Sequence, residues 1–255
     1  MTARTLLITG FFVAVGLQLA TLFVLNCVRD KDEELYQSQL DRYASYLLAD
    51  ELRQSSDDLT RMARTYVITQ DEKYEKMYWD ILAIRNGELN RPAHMNRIYW
   101  DLMLNYGEKP RPDTELVSLH DLMVHAGFTL REFAMLKEAQ DNSDALVETE
   151  TVAMNAVKGL YNDGFGNYVI EGKADIEMAT SIMHDEKYHQ DKASIMSPLN
   201  DFLTDLDMRT IETVEEKKRE VAYYLDLLTL CFSLTLALMF VAAFVIYKRY
   251  PNRRK

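Results

Sequence analysis

Hydrophobic and polar positions divide the chain into two uncharged apolar runs at its ends and a long periodic stretch between them. Thr5 to Val28 (TLLITGFFVAVGLQLATLFVLNCV) holds no Asp, Glu, Lys or Arg, and neither does Leu227 to Tyr247 (LLTLCFSLTLALMFVAAFVIY). Each run reaches the roughly 20 residues that a helix needs to cross a bilayer core. Two such runs at the ends of a 255-residue chain are hard to bury in one soluble domain. The first is too long for the usual apolar region of a signal peptide, and no A-x-A site ends it. VLNC hints at a lipoprotein cleavage site, but Asn26 stands where a small residue is required. Both runs are therefore read as uncleaved membrane anchors.

Between them the pattern is helical. Leu52, Leu59 and Tyr66 recur at intervals of seven, with Ser55 and Met62 between them, which makes one helix face over about Arg29–Thr69. From about Glu186, residues Leu199, Phe202, Leu203, Leu206, Thr210, Val214, Val221 and Tyr224 keep a 3–4 spacing into the second apolar run. Pro198 inside this stretch predicts a kink, since the pattern continues on both sides. A long helix is predicted over about Leu130–Tyr161, opened by a Thr129/Glu132 capping box with Phe128 stapled on Phe133. Strand alternation is absent. NGELNRP, YGEKPRPD and NDGFGNYVIEG read as loops, and Gly and Pro break Glu72–Ala126 into short helices.

The tetrapeptide DEKY occurs at Asp71–Tyr74 and again at Asp185–Tyr188, in otherwise dissimilar surroundings. Each copy lies roughly 40 residues from an apolar run, about 60 Å of helix. Both are expected at one height, as corners where Asp71 and Asp185 cap the helix that follows. The fold expected is all-α: two transmembrane helices flanking an elongated extracytoplasmic helical bundle with a broken-helix insertion. The divisions are 1–28 (cytoplasmic tip and first span), 29–224 (sensor-like domain), 225–247 (second span) and 248–255 (basic tail).

Charge then sets orientation. Arg4 precedes the first run, and Lys248, Arg249, Arg253, Arg254 and Lys255 follow the second, with no acid in either tail. Basic flanks stay in the cytoplasm, so both termini are expected inside and the intervening segment outside. The whole chain carries −11, so the remainder carries −17 once those six basic residues are set aside. This acidity speaks against a nucleic-acid partner. The two cysteines, Cys27 and Cys231, lie in or beside the apolar runs and make no disulfide framework.

Several strings carry a resemblance: SSDDLTRMARTYVITQDEKY, YWDILAIRNGE, RIYWDLM, NSDALVETETVAMNAVKGLY and HDEKYHQDKASIMSPLNDFLTDLDMRT. They resemble the periplasmic input region of bacterial methyl-accepting chemotaxis receptors and of related sensor kinases and diguanylate cyclases. The resemblance covers nearly the whole segment between the apolar runs. It implies a homodimeric receptor in the cytoplasmic membrane, with a small-molecule ligand outside and a signal passed through the second span to an output domain or protein. The chain departs from that pattern after Tyr247, where KRYPNRRK is followed by no output domain. It is read as the input part of a larger receptor, or else as a stand-alone accessory or structural membrane subunit that holds a protein partner.

Candidate chemistry is sparse. MYWDIL and IYWDLM echo each other and hold both tryptophans, Trp79 and Trp100. Tyr78, Ile81 and Leu82, and Ile98, Leu102 and Met103, are expected to form packing faces, so both tryptophans can be core. As a pocket, the same segment offers aromatic walls with Arg85, Asn86, Arg91, Arg97 and Arg111, beside Arg64 and Tyr66. Arginine grips carboxylates through two parallel hydrogen bonds, so a small anionic or aromatic solute is expected at Arg64, Tyr66, Trp79, Arg85, Asn86, Arg97 and Trp100. Each arginine taken alone reads equally as a surface ion pair. His120 and His125, and His184 and His189, are five apart and fall on different helix faces, so no metal site and no cofactor are expected. No phosphate loop, nucleophile elbow or HExxH appears, and no enzyme is expected. In the first run Gly16 and Ala20 permit close helix contact, and the polar Gln18 beside them favours protein over lipid.

Overall fold

The computed structural model describes residues 3–249. Arg253, Arg254 and Lys255 of the basic tail lie outside the described residues, as does the side chain of Arg4. The elements are α1 (Ala3–Thr69), α2 (Glu72–Asn86), α3 (Trp100–Tyr106), α4 (Leu119–His125), α5 (Leu130–Ala156), β1 (Leu160–Asn162), β2 (Tyr168–Glu171), α6 (Ile176–Ile182) and α7 (Glu186–Arg249). The protein is helical with almost no strand. Helices α1 and α7 each join an apolar run to a periodic one without a break. Pro198 lies inside α7, where it cannot donate to the Ser194 carbonyl one turn back. Asn142 Nδ2 on α5 donates to that carbonyl instead, at 2.9 Å.

By contacts the chain forms two compact units, residues 1–40 with 210–255, and residues 41–209. The second is narrower than the expected division at 29–224.

Among the described residues the first unit contains only parts of α1 and α7, so whatever each buries there it buries against the other. Ala14, Leu17, Thr21, Val24 and Val28 form the covered stripe on α1, and Val221, Tyr224, Leu228, Cys231 and Thr235 form that on α7. Both stripes keep the 3–4 spacing of a helix seam. The rest of the apolar surface is open: the most apolar window of each helix is 6 % buried. The core helix of a soluble domain would be mostly buried. Both helices are long and apolar enough to cross a membrane. Beyond the apolar runs the pair is joined by charges, with Lys31 on Glu220 at 3.0 Å and Lys217 on Glu34 at 2.8 Å.

The second unit packs helices around two apolar clusters. Leu59, Met62, Tyr66 and Val67 of α1 meet Tyr78 and Ile81 of α2, Leu146 and Met154 of α5, and Tyr188 and Ile195 of α7. Farther along, Ala49 of α1 meets Leu119 and Met123 of α4, Leu136 and Ala139 of α5, and Leu199, Phe202 and Leu206 of α7. Helices α1, α5 and α7 contribute to both clusters, while α2 belongs to one and α4 to the other.

Local signals set the helix starts. Asp71 caps α2 by accepting from Lys73 N, and Asp185 accepts from Tyr188 N at 2.7 Å in the first turn of α7. Both DEKY copies thus do the same capping work. The Thr129/Glu132 capping box opens α5, with the Phe128 and Phe133 rings 6.2 Å apart. The equal height expected of the two corners is not observed. Arg64 Nε donates to Met183 O at 2.9 Å, and the Tyr188 hydroxyl lies 3.3 Å from Thr60 Oγ1. The second corner therefore sits beside Thr60–Arg64, roughly 10 Å short of the first along α1.

Two further expectations are corrected. Helix α5 ends at Ala156 rather than near Tyr161, and NDGFGNYVIEG is not a plain loop but part of a hairpin in which β1 pairs antiparallel with β2. Gly159 has φ +71°, and a Cβ there would meet Gly172 O at 2.4 Å. Glycine thus lets the chain leave the helix and close the hairpin base, where Gly172 N donates to Gly159 O at 2.8 Å. Ile98, expected on a packing face, is 62 % exposed and lies before α3 begins, while its neighbour Tyr99 takes the buried place.

Candidate functional site

The candidate site forms where α2 ends. Gly87 caps α2 in the left-handed region (φ +78°), and a Cβ on it would meet Ser118 N at 2.8 Å. Only glycine allows that approach without displacing the backbone. Ser118 is in turn the N-cap of α4, accepting from Asp121 N. The end of α2 and the start of α4 are thereby held together, and a groove of about 580 Å³ opens beside them. Leu52 and Ser56 of α1, Leu136, Ala139, Gln140 and Ser143 of α5, and Ile195 and Leu199 of α7 line it, with Arg85, Asn86, Leu119 and Met123 at its rim and wall. Glu88, Ser118 and His120 also line it, so apolar and polar groups share its wall, and its volume is in the range of small-molecule sites. A second, small cavity of about 20 Å³ lies next to it, lined by Arg61, Arg85, Arg97, Trp100 and three carboxylates. Arg85 and Leu119 line both.

The arginines separate by what they touch. Arg64 donates to Met183 O, the C-cap carbonyl of α6, and its guanidinium lies 4.7 Å from the Tyr188 ring centre. Arg91 is buried in an ion pair with Glu51, and Arg61 bridges Asp58 and Asp101. Arg111 ties a loop by donating to His94 O and Ile98 O at 3.0 and 2.9 Å. Arg85 makes no hydrogen bond or ion pair among the described residues. Burial pulls its pKa below the usual guanidinium value, and the more distant charge of Asp144 offsets this only in part. Its side chain is only partly covered, so an incoming anion could pair with it at little cost in desolvation.

Of the sequence candidates, the structure brings together Arg85, Arg97 and Trp100 at the small cavity and Arg85 with Asn86 at the groove. The other three lie elsewhere. Tyr66 is core, its hydroxyl pushed up to about 12 by burial and by Glu75. Trp79 is 42 % exposed, edge-on to Tyr78, and lines neither cavity. Arg64 belongs to a buried polar cluster that sequence reasoning missed. At its centre Glu150 is 2 % exposed, and the hydroxyls of Tyr78 and Tyr188 donate to its two oxygens at 2.7 and 2.6 Å. Burial pushes the Glu150 carboxyl up, against the pull of the two tyrosines, Lys192 and Arg64. The signal for it was available: Leu136, Ala139, Ser143, Leu146, Glu150 and Ala153 form one 3–4 stripe, and a charge within such a stripe is buried.

Among the described residues no group of three or more His, Cys, Asp and Glu is placed to hold a metal. No family model, curated protein or solved structure matches the chain.

Proposed function

We propose that the chain is a transmembrane sensory input module of the chemoreceptor type. In this reading α1 and α7 anchor it in the cytoplasmic membrane, and the unit at 41–209 is an extracytoplasmic helical-bundle sensor. A small anionic solute enters the groove and pairs with Arg85. The resemblance in the strings around DEKY points the same way. The observation that carries the reading is the unpartnered Arg85 at a groove walled by α1 and α7, the two helices that continue into the apolar runs.

The wall of the groove also suggests how occupancy is passed on. Ile195 and Leu199 flank Pro198, where α7 lacks one ladder bond and relies on Asn142. A solute seated there touches α7 at its weakest turn, so differential contact can bias the bend of the helix. The signal then leaves through the second span to a cytoplasmic output. The Gly16–Ala20 face of α1 is exposed, with nothing within 4 Å of a Cβ placed on Gly16, which suits packing against a second copy in a homodimer.

Two measurements test this. A cysteine at Glu138, exposed on α5, should react with an impermeant thiol reagent on intact spheroplasts, while a reporter fused after Lys255 is active only in the cytoplasm; protection of the cysteine sinks the topology. In a thermal-shift screen of the full chain in nanodiscs, some small carboxylates should raise Tm. Arg85→Ala should abolish that rise and leave the unliganded Tm nearly unchanged. A ligand shift that survives Arg85→Ala moves the site away from the groove.

A further inference from the structure

We infer that Glu150 is a binding site for a proton, and that its occupancy turns the hydroxyl hydrogen of Tyr188 from Glu150 on α5 to Thr60 on α1. No solute in the groove is needed for this.

Enclosure and charge set the competition at the carboxyl. Glu150 lies on the buried stripe of α5, 2 % exposed, and is surrounded by α1, α2 and α7. Arg64 faces it from α1, Tyr78 from α2, and Tyr188 and Lys192 from α7. Asp57 of α1 pairs with Lys192 at 3.3 Å. Arg85, two turns along α2 from Tyr78, feels both Glu150 and Asp144 of α5. From α6 comes the Met183 carbonyl, which Arg64 already holds. With Glu150 ionised, these three acids and three cations balance. Lys192 and Arg64 pull the carboxyl down, yet burial outweighs them and favours the neutral acid.

The surrounding oxygens leave the carboxyl bonded in either protonation state. When ionised, Glu150 accepts from Tyr78 on Oε2 at 2.7 Å and from Tyr188 on Oε1 at 2.6 Å. Burial and Glu150 itself hold both phenols well above their usual pKa, so both keep their hydrogen. A phenol has one hydrogen to give. When Oε1 takes a proton from solvent, it donates to the Tyr188 oxygen, and the Tyr188 hydrogen turns to Thr60 Oγ1, 3.3 Å away. Thr60 can accept it, because its own hydrogen points to Ser56 O. Oε2 has no such route: among the described residues the Tyr78 hydroxyl meets no second acceptor. Tyr188 stands in the first turn of α7. Proton uptake therefore adds a hydrogen bond between α7 and α1 while the bond between α7 and α5 reverses direction, so pH selects between two bonding patterns.

The test is an infrared titration of the full chain in dodecyl maltoside, a detergent without a carbonyl, from the acid into the neutral range. A carboxylic-acid C=O band should outlast the ionisation of the exposed carboxyls and be missing in Glu150→Gln. Glu51 and Asp58, also raised by burial, are present in both proteins and cancel in the difference. Thr60→Val keeps the shape of the side chain and removes the acceptor. It should weaken proton binding about two- to tenfold, moving the midpoint of the band to lower pH. Thr60→Ser keeps a hydroxyl and should keep the wild-type midpoint. Should Glu150→Gln not fold, the displacement of the band between wild type and Thr60→Val still isolates it. A band that is absent, or that ionises together with the exposed carboxyls, overturns the proton site. An unmoved midpoint in Thr60→Val, or an equal fall in Thr60→Ser, overturns the turn of Tyr188 toward α1.

Discussion

Glu34 and Glu150 lie in different units of this protein, and their carboxyls shift in opposite directions. Glu34 is half-exposed, and hydrogen bonds from Lys217 and then Lys31 hold it down at about 2. Glu150 has two hydroxyl donors and two nearby cations, yet burial pushes it up. The contrast shows that loss of water outweighs good partners once a charge is enclosed, whereas at the surface the partners decide. It also separates the two units. Beyond the apolar runs of the first, charge is carried in ion pairs that stay in contact with water. In the second, a charge is kept inside a core and every oxygen it presents is bonded.

The largest effect should come from removing one of those bonds. Tyr188→Phe leaves a buried carboxylate oxygen without its donor, and should lower the unfolding free energy by about 1–3 kcal/mol, read from urea unfolding of the full chain in detergent. Tyr74 holds the same place in the first DEKY copy, but its hydroxyl makes no hydrogen bond among the described residues. Tyr74→Phe should change stability by no more than a few tenths of a kcal/mol. Equal losses in the two variants break the comparison.

A smaller and more specific effect is on pH dependence. The folded-state pKa of Glu150 is raised above its unfolded value near 4.5. The folded protein therefore holds the proton more tightly, and stability falls as pH rises from about 4.5 through the folded pKa. Glu51 and Asp58 are raised by burial too and add slope of the same sign. The difference between wild type and Glu150→Gln isolates Glu150: the variant should lose part of the decline in Tm above pH 4.5. Superimposable Tm–pH curves would remove Glu150 from the account.

The smallest effect is expected at the half-exposed cluster of Lys31, Glu34, Lys217 and Glu220. Lys217→Gln should change Tm little at physiological salt, because ion pairs that keep contact with water are weak and screened. For Glu34 the sign is the reverse of that for Glu150. Its pKa is depressed, so its contribution is present above about 4.5 and disappears as pH falls toward about 2. Lys217→Gln should shrink that acid-side loss at low ionic strength.

Much of the fold is legible in the sequence because its signals are local. Asp71, Asp185 and the Thr129/Glu132 box each act on a backbone N–H two or three residues away, so spacing alone identifies the caps. The seams of α1 and α7 repeat every three to four residues, and that rhythm survives any tertiary arrangement. The candidate site is less legible. Five arginines read alike in the chain, and only the structure separates Arg64, Arg91 and Arg111, which hold carbonyls or a carboxylate, from Arg85 and Arg97. The hairpin is hidden for a related reason. Leaving α5 near Gly159 depends on the approach of Gly172, thirteen residues on, and no local propensity encodes that contact.

The sequence by itself determined the apolar runs at both ends, the long helices joined to them and the capped corners, because periodicity, charge and capping act over one or two turns. Only the tertiary structure decided that the second corner meets α1 at Thr60–Arg64, that Asn142 supplies the donor Pro198 withholds, and that Arg85 faces a groove with no partner. Those three depend on side chains at least about 50 residues apart in the chain, or on a partner's absence. Which groups meet is settled by how whole helices pack, since burial and pairing energies are properties of the assembled core.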